Sequence, residues 1–111
     1  MNSRRKGKRG ELALARILRE HGFEARRGVQ YHGGAESPDV IGLPGVHIEC
    51  KRVERLDLMG AYRQAVRDAA SDEMPAVFHK RNREPWLVTM NLEDFIQLYR
   101  EAKDGERIHS D

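Results

Sequence analysis

The sequence has a single cysteine, Cys50, so no internal disulfide can form within it, and a reducing, cytoplasmic setting fits. No apolar run approaches the roughly 20 residues that a membrane-spanning helix needs, so no membrane role is expected. The basic N-terminal residues have no apolar segment behind them and do not read as a secretory signal. Internal repeats and low-complexity linkers are also missing. What remains is a chain of 111 residues, 39% hydrophobic and 34% charged. That balance suits one soluble globular domain over residues 1–111 with one modest core.

Charge is unevenly spread. Residues 1–27 carry nine Lys/Arg against three Glu, a net +6, while the remainder carries eleven against fifteen, a net −4. The positive end is concentrated in a leader of about residues 1–9, through Arg4, Arg5, Lys6, Lys8 and Arg9, with Arg26 and Arg27 further on. Such a patch attracts polyanions, of which nucleic acid is the commonest in a cell; a solubilising tail is the plain alternative. A second basic group, Lys80, Arg81 and Arg83 after His79, sits at a turn and suits phosphate contact or simple solvation.

Periodicity outlines the elements. Residues 10–23 read as a helix with Ala13, Leu14, Ala15, Ile17 and Leu18 on one face and Gly22 placed to stop it. Residues 23–31 suggest a strand, and residues 28–38 a Gly-rich loop holding Tyr31 and His32. Strands follow at 39–43 and 46–52 around Pro44-Gly45. Residues 56–71 form a second amphipathic helix with Leu58, Tyr62, Ala65 and Ala69 on one stripe. Two more strands, 75–81 and 85–90, flank a polar turn, and Trp86 reads as core. A last helix over 91–102 is capped by Asn91 and turns Phe95, Leu98 and Ala102 inward. The order is α-β-β-β-α-β-β-α: an α/β fold with a small mixed sheet flanked by helices.

The stretch "SPDVIGLPGVHIECKR" breaks the pattern of an ordinary hairpin. Val46, Ile48 and Cys50 form one strand face and read as core, but Glu49 and Lys51 share the other face, with His47 behind them. Asp39 lies on the preceding strand. A two-residue loop at Pro44-Gly45 would turn Asp39 away from Glu49; a three-residue connection over 43–45 would bring the two carboxylates to one face. Gly42 and Gly45 make either course feasible. Paired carboxylates repel unless a cation lies between them. Mg²⁺ suits this task, because it takes carboxylate oxygens and keeps waters, one of which can attack a phosphodiester. Lys51 would orient that water or stabilise the phosphate as charge builds. A surface ion pair is the plain alternative. Glu11 lies at the edge of the first helix's apolar face, where it would complete an acidic cluster, and Gln64 on the second helix is within reach of the same site. His47 and Cys50, three apart on a strand, face opposite ways and do not make a zinc pair.

Taken together, "KGKRGELALARILREHGFEARR", "SPDVIGL", "VHIECKR" and "YRQAV" resemble the PD-(D/E)XK nucleases, or restriction-endonuclease-like superfamily, and within it the archaeal-type Holliday-junction resolvases and related phage nucleases. The resemblance spans about residues 4–100, and its core is Pro38-Asp39, nine intervening residues, then Glu49-Cys50-Lys51. It implies a restriction-endonuclease-like core and a Mg²⁺-dependent DNA endonuclease in which Mn²⁺ substitutes. Glu11, Asp39 and Glu49 would be metal-binding acids, with the Cys50 carbonyl as a further ligand. Lys51 would be the catalytic lysine, and Gln64 a glutamine found in several branches. Ser37 lies in the loop where resolvases carry a functional serine, at a different offset. The resemblance also implies a homodimer, cleavage of four-way junctions, and a part in DNA recombination or repair, in the cytoplasm or encoded by a phage. Flaps or duplex ends are an alternative substrate, and a non-catalytic DNA-binding module is a reading from another class.

Overall fold

The computed structural model describes residues 3–28 and 38–109, and the side chains of residues 7–28 and 38–106. Tyr31, His32 and Ser37 lie outside the described residues.

Helix α1 (Ser3–Glu20) starts well before the apolar pattern does, so the basic leader from residue 3 onward is its first turns rather than a separate arm. It ends where expected. Gly22 adopts φ +93°, the Gly22 N–H donates to the Arg19 carbonyl and the Phe23 N–H to the Leu18 carbonyl, a Schellman stop. Strands β1 (Arg26–Arg27), β2 (Val40–Ile41), β3 (Val46–Arg52), β4 (Met74–Lys80) and β5 (Leu87–Thr89) form one sheet in that order. Only β3 and β4 are parallel, and helix α2 (Leu58–Asp68) makes the crossover between them. Asp57 caps α2 by accepting from the Gly60 N–H. The mixed α/β architecture and element order match the sequence reading.

The two helices cover opposite faces of the sheet. On the α1 side, Leu14 and Ala15 pack with Val40, Ile48, Cys50, Ala76 and Phe78 into one apolar cluster. Trp86 is half-buried against its edge. Of the residues expected on the inner face of α1, Ala13 is exposed. On the α2 side lie Ala61, Ala65 and Val77, together with buried His47 and Glu49.

Helix α3 (Leu92–His109) corrects one expectation. Asn91 does cap it, its side-chain oxygen accepting from the Asp94 N–H, and Tyr62 accepts from the Asn91 amide. But Phe95, Leu98 and Ala102 do not turn inward. Phe95 is 54% exposed, Tyr99 55% and Leu92 66%, and α3 packs closely on no other element among the described residues. The amphipathic pattern is real, but among the described residues no layer packs closely against that face. The molecule is accordingly long, 54 Å against 28 and 26 Å across.

Candidate active site

The β2–β3 turn sets the site. Val40 pairs with Ile48, the register of a three-residue connection, and the Val46 N–H donates back to the Leu43 carbonyl at 3.0 Å. Gly42 sits at φ +135°, and a Cβ there would lie 2.5 Å from the Ala25 Cα, so only glycine lets this turn press on the segment leading into β1. At Asp39 the ladder slips: its N–H donates to the Ile48 carbonyl at 2.9 Å, and its Oδ2 accepts from the Cys50 N–H at 2.8 Å. That backbone bond holds the Asp39 carboxylate against the start of the Glu49-Cys50-Lys51 run.

Asp39 and Glu49 are thereby brought within hydrogen-bonding reach of each other. Burial raises the pKa of both. Glu49, 2% exposed, is pushed up to about 7, first by desolvation and then by the Asp39 charge, against the pull of Lys51. Asp39 is raised by desolvation, which the Cys50 N–H and Lys51 oppose. The pair therefore holds a proton more tightly than separate, solvated carboxylates would. Lys51 Nζ lies 3.5 Å from Glu49 Oε1, with about a third of its side chain open to solvent. Burial, with the nearby carboxylates, pushes the Cys50 thiol up to about 12, so it stays protonated and serves packing, while its backbone serves Asp39.

Glu11 reaches the site from the other helix layer. Gly10 makes this close approach: a Cβ there would lie 2.5 Å from the Arg52 Cβ. Glu11 is half-buried and hydrogen-bonded to the Arg27 guanidinium. Desolvation raises its pKa, Arg27 opposes this, and the charges of Asp39 and Lys51 are also felt. Glu11 thus belongs to the same electrostatic cluster without projecting from the Glu49 face. Gln64 is half-buried on α2 and forms no hydrogen bond to a described residue.

Most of the basic residues gather at the Lys51–Arg52 end of the sheet. Lys8 and Arg9 are exposed on α1 just before Gly10, while exposed Arg26 pairs with Ile41, one row beyond the Val40–Ile48 pair and away from that end. Lys51 and Arg52 pair in register with His79 and Lys80. Arg52 donates to the Lys80 carbonyl and, at 2.6 Å, to Asn82 Oδ1, which ties the β4–β5 turn and exposed Arg81 and Arg83 to that end. Arg4, Arg5 and Lys6 lie in α1, with side chains outside those described.

Sequence reasoning missed two residues. Asp68, the last residue of α2, brings a carboxylate oxygen within 4.8 Å of ligand atoms of both His47 and Glu49. Its signal was helical spacing, seven residues after Ala61 and four after Gln64. Glu73 was missed too, with Oε1 3.6 Å from His47 Nδ1. It sits in an irregular connection, where spacing carries no such signal.

Two comparisons place this geometry among known proteins. A family described as "Phage putative PDDEXK endonuclease" matches residues 2–110. Among solved structures, the chain is similar to the Holliday junction resolvase Hjc of Archaeoglobus fulgidus, an archaeal hyperthermophile. The likeness has 28% identity and a TM-score of 0.58, over 77% of this chain and 72% of that one. No curated protein matches.

Proposed function

This chain belongs to the phage PDDEXK endonuclease family and is a nuclease of that type, and from this premise we propose that it cuts branched DNA, four-way junctions first, as a divalent-metal-dependent homodimer. The observation that carries the reading is the pair of half-buried Asp39 and buried Glu49 beside Lys51, near the end of the sheet where most of the basic residues gather. A buried and a half-buried carboxylate side by side, both with raised pKa, are a poor arrangement for stability. They fit a hard divalent cation, whose charge would relieve the repulsion.

Asp39, Glu49, the Cys50 carbonyl and Glu11 would hold Mg²⁺ or Mn²⁺, which would supply the charge that activates water toward a phosphodiester. The protein's own groups do the rest. The Cys50 N–H fixes Asp39. Lys51, anchored on Glu49 with its tip toward solvent, offsets charge building on the scissile phosphate. Arg27 holds Glu11 at the rim. Lys8, Arg9, Arg26, Arg81 and Arg83 lie where a phosphate backbone would run, as the leader residues Arg4, Arg5 and Lys6 would on the same helix. Gln64 is the weakest member of the proposed set. Without a cation the acidic cluster would repel DNA, which disfavours a module that only binds.

The likeness to a Holliday junction resolvase supports the branched substrate, and with it a role in recombination or repair in the cytoplasm of a host cell. A homodimer is supported by the bare apolar face of α3 and the open edge at β5, where Leu87 and Val88 are each more than half exposed. A second copy of α3 laid antiparallel would bring acidic Glu93 and Asp94 of one chain beside Arg100 and Lys103 of the other. Two-fold symmetry would then supply one site for each of two opposed strands.

The test is cleavage of four-way, three-way, flap and linear DNA of one sequence, with Mg²⁺ and with EDTA. The reading requires metal-dependent nicking that favours the four-way substrate. Preference for flaps or ends would keep the chemistry and replace the substrate; no cleavage of any DNA with Mg²⁺ or Mn²⁺ would sink both.

A further inference from the structure

His47 is fully buried, and neither ring nitrogen has a hydrogen-bond partner among the described residues. A buried polar atom left unpaired costs about 1–3 kcal/mol and is rare in native structures. The surroundings are acidic. Glu49 and Asp68 each bring a carboxylate oxygen within 4.8 Å of an imidazole nitrogen and of each other. Glu73 Oε1 lies 3.6 Å from Nδ1 and also accepts from the Ala70 N–H at 2.8 Å, so its position is fixed from the backbone.

We propose that His47, Glu49 and Asp68 form a second cation site, separate from the Asp39 side of Glu49, for a borderline divalent ion of the Mn²⁺, Co²⁺ or Zn²⁺ class. Glu49 is the shared ligand, one carboxylate between two positive centres. An imidazole nitrogen suits these ions, whereas Mg²⁺ prefers oxygen alone. Glu73 stands where a carboxylate commonly supports a metal-bound histidine: closing from 3.6 Å it would hold the ring through Nδ1 and leave the other nitrogen for the ion. The donors need only a small contraction, because ligands about 2.0–2.2 Å from an ion lie roughly 3–3.5 Å from each other. His47 lies within β3 and Asp68 is the last residue of α2, so closure falls on the Asp68 side chain.

The site uses Glu49 but does not rest on the substrate proposed above, and the test separates the two. Full-length protein stripped with EDTA is titrated with Zn²⁺ while the histidine ring nitrogens are followed by NMR, and with Co²⁺ while its visible absorption is followed. One equivalent of Zn²⁺ is expected to shift the His47 nitrogens in the wild type and in Asp39→Asn, whose nuclease site is disabled. Asp68→Asn, at the end of α2, preserves the fold and is expected to weaken Co²⁺ binding by about tenfold or more. His47→Gln is expected to do the same where it folds. If stoichiometric Zn²⁺ leaves the His47 resonances unmoved, or Asp68→Asn binds Co²⁺ as tightly as the wild type, the site is overturned. Failure of the wild type to cleave any DNA with Mg²⁺ or Mn²⁺, with the Zn²⁺ shift present, would count against the nuclease reading alone.

Discussion

The two faces of β3 are built from alternating residues of one strand, yet they obey different rules. Val46, Ile48 and Cys50 meet the apolar side of α1 and pack there into a cluster of aliphatic and aromatic side chains. His47, Glu49 and Lys51 meet α2, and there two ionisable side chains are buried as deeply as Ile48. One face lowers the free energy of folding. The other raises it, because desolvated carboxylates repel and a desolvated imidazole goes unpaired. A sheet this small holds such a face only because the opposite one is well packed. The lesson is that stability and chemistry are divided across the thickness of a single strand.

The most severe break in that contrast is on the polar face. Asp39→Asn is expected to cut DNA cleavage on the order of 10³-fold or more, about 4 kcal/mol in the barrier, while melting temperature holds or rises. Rate and thermal unfolding measured on one preparation check it; cleavage near wild type would disprove the site. The mirror experiment is Ile48→Ala on the apolar face. It should cost roughly 2–5 kcal/mol of stability by opening a cavity. Below its lowered melting temperature the variant should still cleave, and denaturant unfolding against rate at low temperature separates the two losses.

A third expectation follows from Glu49. Its pKa rises from 4.5 to about 7 on folding, so between those values the folded state binds more protons than the unfolded one. Stability of the metal-free protein should therefore fall as pH rises from about 4.5 to about 7 and level off above, a change of order 3 kcal/mol. Glu49→Gln should flatten this slope, and Mg²⁺ should oppose it. Melting curves from pH 4.5 to 8 with EDTA give the answer; a stability that rises through this window would mean Glu49 is not held as described. The smallest effect tests whether the α1 side lends anything to the polar one. Glu11→Gln keeps volume and helix propensity, so the fold should be nearly unaffected. Loss of a charge at the rim should still slow cleavage by about 10–100-fold. An unchanged rate would confine the site to the hairpin and α2.

Legibility followed the range of the interaction. Strand β3 was readable to its exact ends because alternation is a local property, and Asn91 and Gly22 were readable as helix ends for the same reason. The hairpin register was readable only as a choice of two, since Gly42 permits both courses and contact with Ala25 selects one. The inward face of α3 was misread. Periodicity says that a helix has an apolar side but not whether anything lies beneath it. Asp68 and Glu73 escaped notice because their partner, His47, is about twenty residues away in sequence and adjacent only through the crossover.

The sequence by itself determined the order of elements, the basic N-terminal residues and the adjacency of the Asp39 strand to a Glu-x-Lys strand. All of these depend on neighbours a few residues apart. The tertiary structure decided the slip at Asp39 that aims its carboxylate at the Cys50 N–H, the approach of Glu11 over Gly10, the raised pKa of Glu49 and the burial of His47 among acids. These depend on desolvation and on distances between segments, and neither exists until the sheet and its two helices have closed on one another.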